Sequence, residues 1–349
     1  NAKSCLPLRV AYITLERAED EMSQEDTLRY VRHDTTRRPK PRGRYDARMG
    51  GLMVSLDRAP DPAEVQAVLL GVSADRGVAL RGGRLGSVDG PQRFRDYFWR
   101  LHAPEGWKPG SVLDAGDLVS AGHTDETHAR LSEVVDVLRE RFPKARLLVI
   151  GGGQDNLYGE VLGLARWLRR GSKKATAGLL SVDARPDAFV YEGEPHAGTA
   201  IRRLLLEPAA LLAGENTVLW GLQRSQSSAN HIRFLHKQGV TTRWWPDLGY
   251  GNAATTSLLD QLSSLAGRCA GVVLSVDLSA FAQSQAPGVS DPVAMGVPPR
   301  AVLSGAETLA ALPCPTQMSI YGLNPRFDRD GTTARLAAQL AWSYVTSQA

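Results

Sequence analysis

The sequence predicts a three-layer α/β/α fold built around a parallel sheet of about eight strands. From Val65 onward, short apolar runs bounded by Gly or Asp alternate with segments of helical period, a pattern typical of βα units with a buried parallel sheet. No linker-like composition interrupts residues 65 to 349, so one continuous domain is expected there. With 43% hydrophobic residues among 349, the chain can fill a sizeable core.

Each predicted strand is a short, mostly apolar run that ends close to a polar residue or a glycine. In chain order the strands are Ala67–Gly71, Ser111–Ala115, Arg146–Ile150, Gly178–Val182, Thr217–Gly221, Val240–Trp244, Gly271–Val276 and Pro315–Tyr321. The helical segments between them are Glu126–Arg141, Tyr158–Arg170, Ser227–Gln238, Thr255–Ala266, Pro299–Ala311 and Gly331–Thr346. Several of these end in Gly or carry basic residues in the last turn, as helix C-termini favour.

The first 60 residues predict an irregular, basic N-terminal extension, followed by a single domain over 61–349. Eight Lys or Arg side chains lie between Arg29 and Arg48, interspersed with prolines. Over the whole chain basic residues exceed acidic ones by only 4, so nucleic-acid binding is not expected, and a solvated arm is favoured over one that contacts RNA or an acidic protein.

Cysteine content and hydropathy predict a soluble, cytoplasmic protein. Cys5, Cys269 and Cys314 show no motif spacing and are expected to be ordinary reduced thiols. Because no run of about 18 apolar residues is present, no membrane association is expected.

Polar residues directly follow four of the predicted strands. Ligands of parallel α/β sheets bind outside the carboxyl ends of the strands, so these residues are candidates for a site. The segments are Gly151-Gly152-Gly153-Gln154-Asp155-Asn156, Asp183-Ala184-Arg185-Pro186-Asp187, Asp277-Leu278-Ser279 and Tyr321-Gly322-Leu323-Asn324-Pro325. A dinucleotide-binding turn is the alternative for the first segment, but Asn156 stands where that motif needs its third glycine.

These segments resemble the arginase, agmatinase and formimidoylglutamase superfamily, and its formimidoylglutamase branch in particular, over roughly residues 65 to 342. Further matching segments are Gly83-Arg84-Leu85-Gly86, Asp114-Ala115-Gly116-Asp117, Ala286-Pro287-Gly288-Val289-Ser290 and Asp328-Arg329-Asp330-Gly331. The resemblance implies the arginase and deacetylase type of fold. It also implies hydrolysis of C–N bonds in linear amidines by two bridged Mn(II) ions.

The chain departs from the family at three metal-ligand positions. Gln154 and Arg185 stand where the resemblance leads us to expect His, and Ser279 stands in place of Asp. The remaining ligand positions carry Asp183, Asp187 and Asp277. A guanidinium does not deprotonate, so we expect Arg185 to neutralise these carboxylates in place of an ion. No cofactor is therefore expected; the alternative is one weakly bound Mn, Mg or Ca ion, because Gln154 still offers a neutral oxygen.

Three more positions concern the substrate cleft. Gly322 stands where the resemblance implies a Glu that holds the cationic group of the substrate, and Asn156 is a further cleft candidate. His196 lies in a segment similar to the family's His-Ser-Gly-Thr loop and is a candidate for a proton shuttle, a plain loop histidine being the alternative. His123 and His128 match no metal spacing on a helix and are expected at the surface.

The sequence thus favours a non-catalytic protein of the ureohydrolase fold that acts by binding or regulation. The alternative is an active formimidoylglutamase or agmatinase with a remodelled one-metal or metal-free site. The resemblance implies a trimer or hexamer, with an active paralogue as another possible partner and a small polar ligand in the cleft.

Overall fold

The computed structural model describes residues 24–32, 47–209, 211–249 and 252–347. In this part of the chain ten strands form one sheet. They are β1 (Val31–Arg32), β2 (Met53–Ser55), β3 (Ala67–Ser73), β4 (Val112–Val119), β5 (Arg146–Gly151), β6 (Ala177–Val182), β7 (Thr217–Gln223), β8 (Thr241–Trp245), β9 (Gly271–Asp277) and β10 (Thr316–Tyr321). Their order is β1-β4-β3-β5-β10-β9-β6-β7-β8, and β2 also pairs with β4.

The predicted fold class is confirmed, with a sheet that is mixed because of one edge strand. All eight predicted strands are present as β3 to β10, paired in parallel. The short strand β1 runs antiparallel to β4, whereas β2 joins β4 in parallel.

Helices cover both faces of the sheet. They are α1 (Gln24–Leu28), α2 (Met49–Leu52), α3 (Arg76–Leu80), α4 (Gly90–Phe98), α5 (Thr124–Arg141), α6 (Leu157–Gly171), α7 (Ala200–Leu205), α8 (Ala229–Lys237), α9 (Asn252–Ala266), α10 (Pro299–Ala310) and α11 (Thr332–Thr346). Successive strand residues point to opposite faces, so Leu148 and Ile150 belong to the core under α9, α10 and α11, and Leu147 and Val149 to the core under α5 and α6. This two-sided burial explains the continuous apolar runs of the central strands.

The expected irregular extension over residues 1–60 lies largely outside the described residues, including most of the basic segment. Its described parts are not irregular: they contain α1, β1, α2 and β2. Met49 and Met53 are buried in the core, so this stretch is held by packing as well as by backbone pairing with β4. No described helix is long and apolar enough to span a bilayer.

Candidate active site

The four strands followed by polar residues are neighbours in the sheet, in the order β5-β10-β9-β6. Their carboxyl ends therefore lie side by side, and the loops after them surround a pocket of about 480 Å³. The predicted site residues that line this pocket are Gln154, Asp183, Arg185, Asp187, Asp277, Ser279 and Gly322. Asn156 and His196 are not among its lining residues.

Three aspartates form the acidic part of the pocket. Asp183 accepts a hydrogen bond from the backbone N–H of Arg185 at 2.9 Å, and Asp277 accepts one from the N–H of Ser279 at 2.7 Å. Burial, followed by the charges of its two neighbours, raises the pKa of Asp183 well above its usual range. Burial and the charge of Asp277 raise the pKa of Asp187 to about 7, and burial raises that of Asp277. Carboxylates crowded in this way favour a bound cation.

The Arg185 side chain lines the same pocket as this acidic cluster and is only 8% exposed. Its Nη1 donates to Ser279 Oγ at 3.2 Å, and its Nη2 pairs with Asp291 Oδ2 at 2.8 Å. Its charge lowers the pKa of each of the three aspartates, against the larger effect of burial. Arg185 thus supplies a permanent positive charge inside the pocket.

Gln154 presents an oxygen without a protein partner. The residue is 3% exposed, its Nε2 donates to Ser275 Oγ at 3.4 Å, and its buried Oε1 accepts no hydrogen bond from any described residue. A buried carbonyl oxygen left unpaired is costly, and a cation would satisfy it. Asn156 was predicted to lie in the cleft, but it does not line the pocket. Its Nδ2 instead donates a hydrogen bond to the Gly153 carbonyl at 2.8 Å.

Gly322 follows β10 and has a positive φ of 85°. A Cβ at this position would lie 3.0 Å from Asp277 Oδ1. The backbone here favours glycine, so a Glu at this position needs a different local conformation as well as a different side chain.

His196 lies beside the pocket without lining it. Its Nδ1 accepts a hydrogen bond from the Gly198 N–H at 3.2 Å, which places any ring proton on Nε2. Its ring packs edge-on against Phe189 with centroids 5.9 Å apart. Burial, followed by the charge of Arg81, lowers its pKa, so the ring is neutral near pH 7.

Several pocket residues were missed from the sequence. Arg81, Phe189 and Asp291 line the pocket but follow no strand directly. Arg81 lies two residues before the Gly83-Arg84 match, and Asp291 directly follows the Ala286–Ser290 match, so proximity to those segments was the available signal.

The prediction that His128 lies at the surface is wrong. The residue is buried, with 1% exposure, and its Nε2 lies 3.0 Å from Asp155 Oδ2. It is buried because α5 packs against the loop that follows β5, and that loop supplies a carboxylate partner for the ring. A histidine with such a partner is tolerated inside a core.

A comparison with protein families matches the arginase family over residues 65–346. The chain belongs to the arginase family. Similar relatives are formimidoylglutamases from Rhodococcus jostii, 32% identical over 285 residues (80% of this chain, 85% of the relative), and from Geobacillus thermodenitrificans, 28% identical over 280 residues (79% and 83%).

Solved structures support the same arginase-family fold. A structure of Trypanosoma cruzi formiminoglutamase with Mn2+2 matches with a TM-score of 0.73 and 25% identity, covering 86% of this chain and 97% of that one. Bacillus subtilis formimidoylglutamase matches with a TM-score of 0.78 and 19% identity, covering 92% and 97%, which shows the shared fold alone.

The expectation that no cofactor is needed is contradicted by the Trypanosoma cruzi structure, an arginase-family relative that holds Mn2+2. In this chain the buried Gln154 Oε1 and the three aspartates provide oxygen donors of the kind that manganese accepts. Arg185 and Ser279, which line the same pocket, add no anionic ligand to this set. Among the described residues no three His, Cys, Asp or Glu side chains form a metal-binding group by themselves.

Proposed function

We propose that this chain is a manganese-dependent hydrolase of linear amidines of the formimidoylglutamase type, with a remodelled metal site. The observation that carries the proposal is the cluster of Asp183, Asp187 and Asp277 at the carboxyl ends of β6 and β9, in the same pocket as Gln154 with its unpaired oxygen. Support also comes from the relatives named formimidoylglutamase, which this chain matches over most of their length.

Each part of the pocket has a role in this proposal. The aspartates and Gln154 would hold manganese, which when bound supplies a water of lowered pKa close to the substrate. Arg185 offsets the repulsion among the carboxylates, and its guanidinium contacts both Ser279 and Asp291. With glycine at 322, Asp291 is the acidic lining residue outside the proposed metal ligands, and it would attract the cationic amidine.

The relatives favour this active hydrolase over the non-catalytic binding protein, because nothing in the comparisons indicates a loss of activity. Assembly into trimers or hexamers, pairing with a paralogue and a cytoplasmic location stay predictions.

The test measures product formation by the protein stripped with a chelator and reloaded with Mn(II). We expect formamide from N-formimidoyl-L-glutamate and no urea from arginine or agmatine. Asp277→Asn should reduce the rate by more than about 100-fold, because even changes next to metal ligands cost up to that much. Asp260→Asn makes the same charge change on the exposed side of α9 and should leave the rate unchanged.

Two results would count against the hydrolase. Formamide release that does not depend on Mn(II) would remove the proposed role of the aspartates. No release by the reloaded wild-type protein would favour the binding protein instead.

A further inference from the structure

His128 lies at the centre of a chain of hydrogen bonds behind the turn Gln154–Asn156. Its Nδ1 lies 2.7 Å from Nη1 of Arg203, and its Nε2 lies 3.0 Å from Oδ2 of Asp155. Because a guanidinium only donates, Nδ1 accepts, and the ring proton is on Nε2, which donates to Asp155. Nη2 of Arg203 pairs with Asp125 at 2.7 Å. The imidazole is therefore held from both sides.

Two glycines let the carboxyl group of Asp155 approach the backbone closely. A Cβ at Gly77 would lie 2.2 Å from Asp155 Oδ1, and a Cβ at Gly153 would lie 2.3 Å from the same oxygen. Asp155 is 3% exposed, and its Oδ1 accepts no hydrogen bond from any described residue. An acid without a partner is costly inside a core, so the hydrogen bond from His128 fixes this buried group.

The turn that carries Gln154 is anchored more firmly through its neighbours than through Gln154 itself. Asp155 is held by His128, and Asn156 Nδ2 donates to the Gly153 carbonyl at 2.8 Å. The Gln154 side chain has only a hydrogen bond of 3.4 Å from its Nε2 to the hydroxyl group of a serine on β9. A hydrogen bond of this length is weak, so the orientation of the Gln154 side chain depends on the backbone beneath it.

The same chain of hydrogen bonds reaches a second segment that lines the pocket. Arg203 belongs to α7, which begins directly after residues 188–199, and Phe189 of that segment is a lining residue. His128 itself does not line the pocket. Helix α5 thus connects, through His128, the turn that carries Gln154 with the segment that carries Phe189.

We propose that His128 is a positioning residue that holds the Gln154 oxygen in place for a cation, acting through Asp155. The inference rests on the proposed function only for the identity of that cation, manganese. Side chains behind a metal ligand orient it, and their loss weakens metal binding roughly 10- to 100-fold. A turn that is fixed before the ion arrives also loses less conformational freedom on binding.

The test measures Mn(II) affinity by calorimetry on the chelator-stripped protein. His128→Leu removes both hydrogen bonds of the ring, and we expect about 10-fold weaker binding, the low end of the range for such groups. His128→Gln restores an N–H donor at a similar reach and should recover most of the affinity. Val135→Ala is the control: Val135 is buried on the same helix against Gly163 of α6, so its loss should lower stability and leave the affinity unchanged.

Arg203→Met separates positioning from charge and does not depend on how well His128→Leu folds. Removal of a nearby positive charge by itself strengthens the binding of a cation. Loss of the donor to Nδ1 frees the imidazole and loosens Asp155, so we expect weaker Mn(II) binding, opposite in sign to the charge effect.

Four results would overturn the inference: wild-type affinity in His128→Leu, an equal loss in Val135→Ala, unchanged or stronger binding by Arg203→Met, or no Mn(II) binding by the wild type. Turnover does not enter these measurements. A wild type that binds Mn(II) and shows the expected variant effects, yet releases no formamide, would refute the proposed function alone.

Discussion

At the scale of single residues, Arg185 adds a fixed positive charge that acts on all three aspartates of the cluster. A metal ion can leave when its ligands are protonated, whereas a guanidinium stays charged and is tethered to the chain. Its contacts with Ser279 and Asp291 hold it against two loops at once. The cluster is therefore partly neutralised before any ion binds, and we expect weaker manganese affinity than a full set of anionic ligands would give.

Gly322 provides a residue-scale prediction about how tightly Asp277 is held. Gly322→Ala and Gly106→Ala both place a Cβ on a backbone with positive φ, 85° and 82°, which costs roughly 1–2 kcal/mol each. The Cβ at 322 also meets Asp277 Oδ1 at 3.0 Å, while that at 106 has no atom within 4 Å. We expect a larger loss in the free energy of unfolding for Gly322→Ala, measured by denaturant titration. Equal losses would show that Asp277 moves aside freely.

The sequence predicted which residues line the pocket better than it predicted the contacts between them. Gln154, Arg185 and Ser279 could be singled out because they stand at family positions with a different residue type, and all three line the pocket. The contact between Arg185 and Asp291 joins residues more than a hundred positions apart, and no local pattern indicates it.

At the scale of elements, a buried carboxyl group joins α6 to β10. Glu160 accepts hydrogen bonds from Tyr321 Oη at 2.8 Å and from Gln317 Nε2 at 3.2 Å. Arg139 of α5 donates to Gln317 Oε1 at 2.9 Å and so extends the contact to a second helix. Burial raises the pKa of Glu160 to about 7, although its hydrogen bonds and Arg139 lower it.

This network predicts how stability depends on pH. Because the folded state holds the Glu160 proton more tightly than the unfolded chain, its contribution to stability is complete below the ordinary pKa of 4.5 and is lost as the pH rises through about 7. Glu160→Gln should therefore flatten the fall in the free energy of unfolding between these values. Glu307→Gln, on an exposed position of α10, should leave the slope as in the wild type. Parallel slopes for Glu160→Gln and the wild type would contradict the prediction.

Long elements were predicted well and short ones were not. The eight central strands and the six longer helical segments match β3 to β10 and α5, α6, α8, α9, α10 and α11. The helices α1, α2, α3 and α7, with four to six residues each, were missed because helices of this length depend on tertiary contacts more than on their own sequence pattern. Helix α4 was also missed, although it has nine residues like the predicted α8, and packing stabilises it. In α4, Phe94 and Phe98 are fully buried, which shows where that stabilisation comes from.

At the scale of the whole molecule, the sheet order creates the site. β5 and β6 are consecutive in the chain, yet β10 and β9 lie between them in the sheet. The loops after all four strands meet only because of this order, and hydrophobic periodicity does not specify it. The resemblance to the arginase family supplied what the pattern could not, and the family membership confirms it.

Diffraction at the manganese absorption edge, from crystals of the Mn(II)-loaded protein, tests the remodelled site most directly. We expect one anomalous peak among Asp183, Asp187, Asp277 and Gln154 Oε1, with Arg185 still paired to Asp291. Two peaks with the Arg185 guanidinium turned out to solvent, or no peak in this pocket, would contradict this expectation.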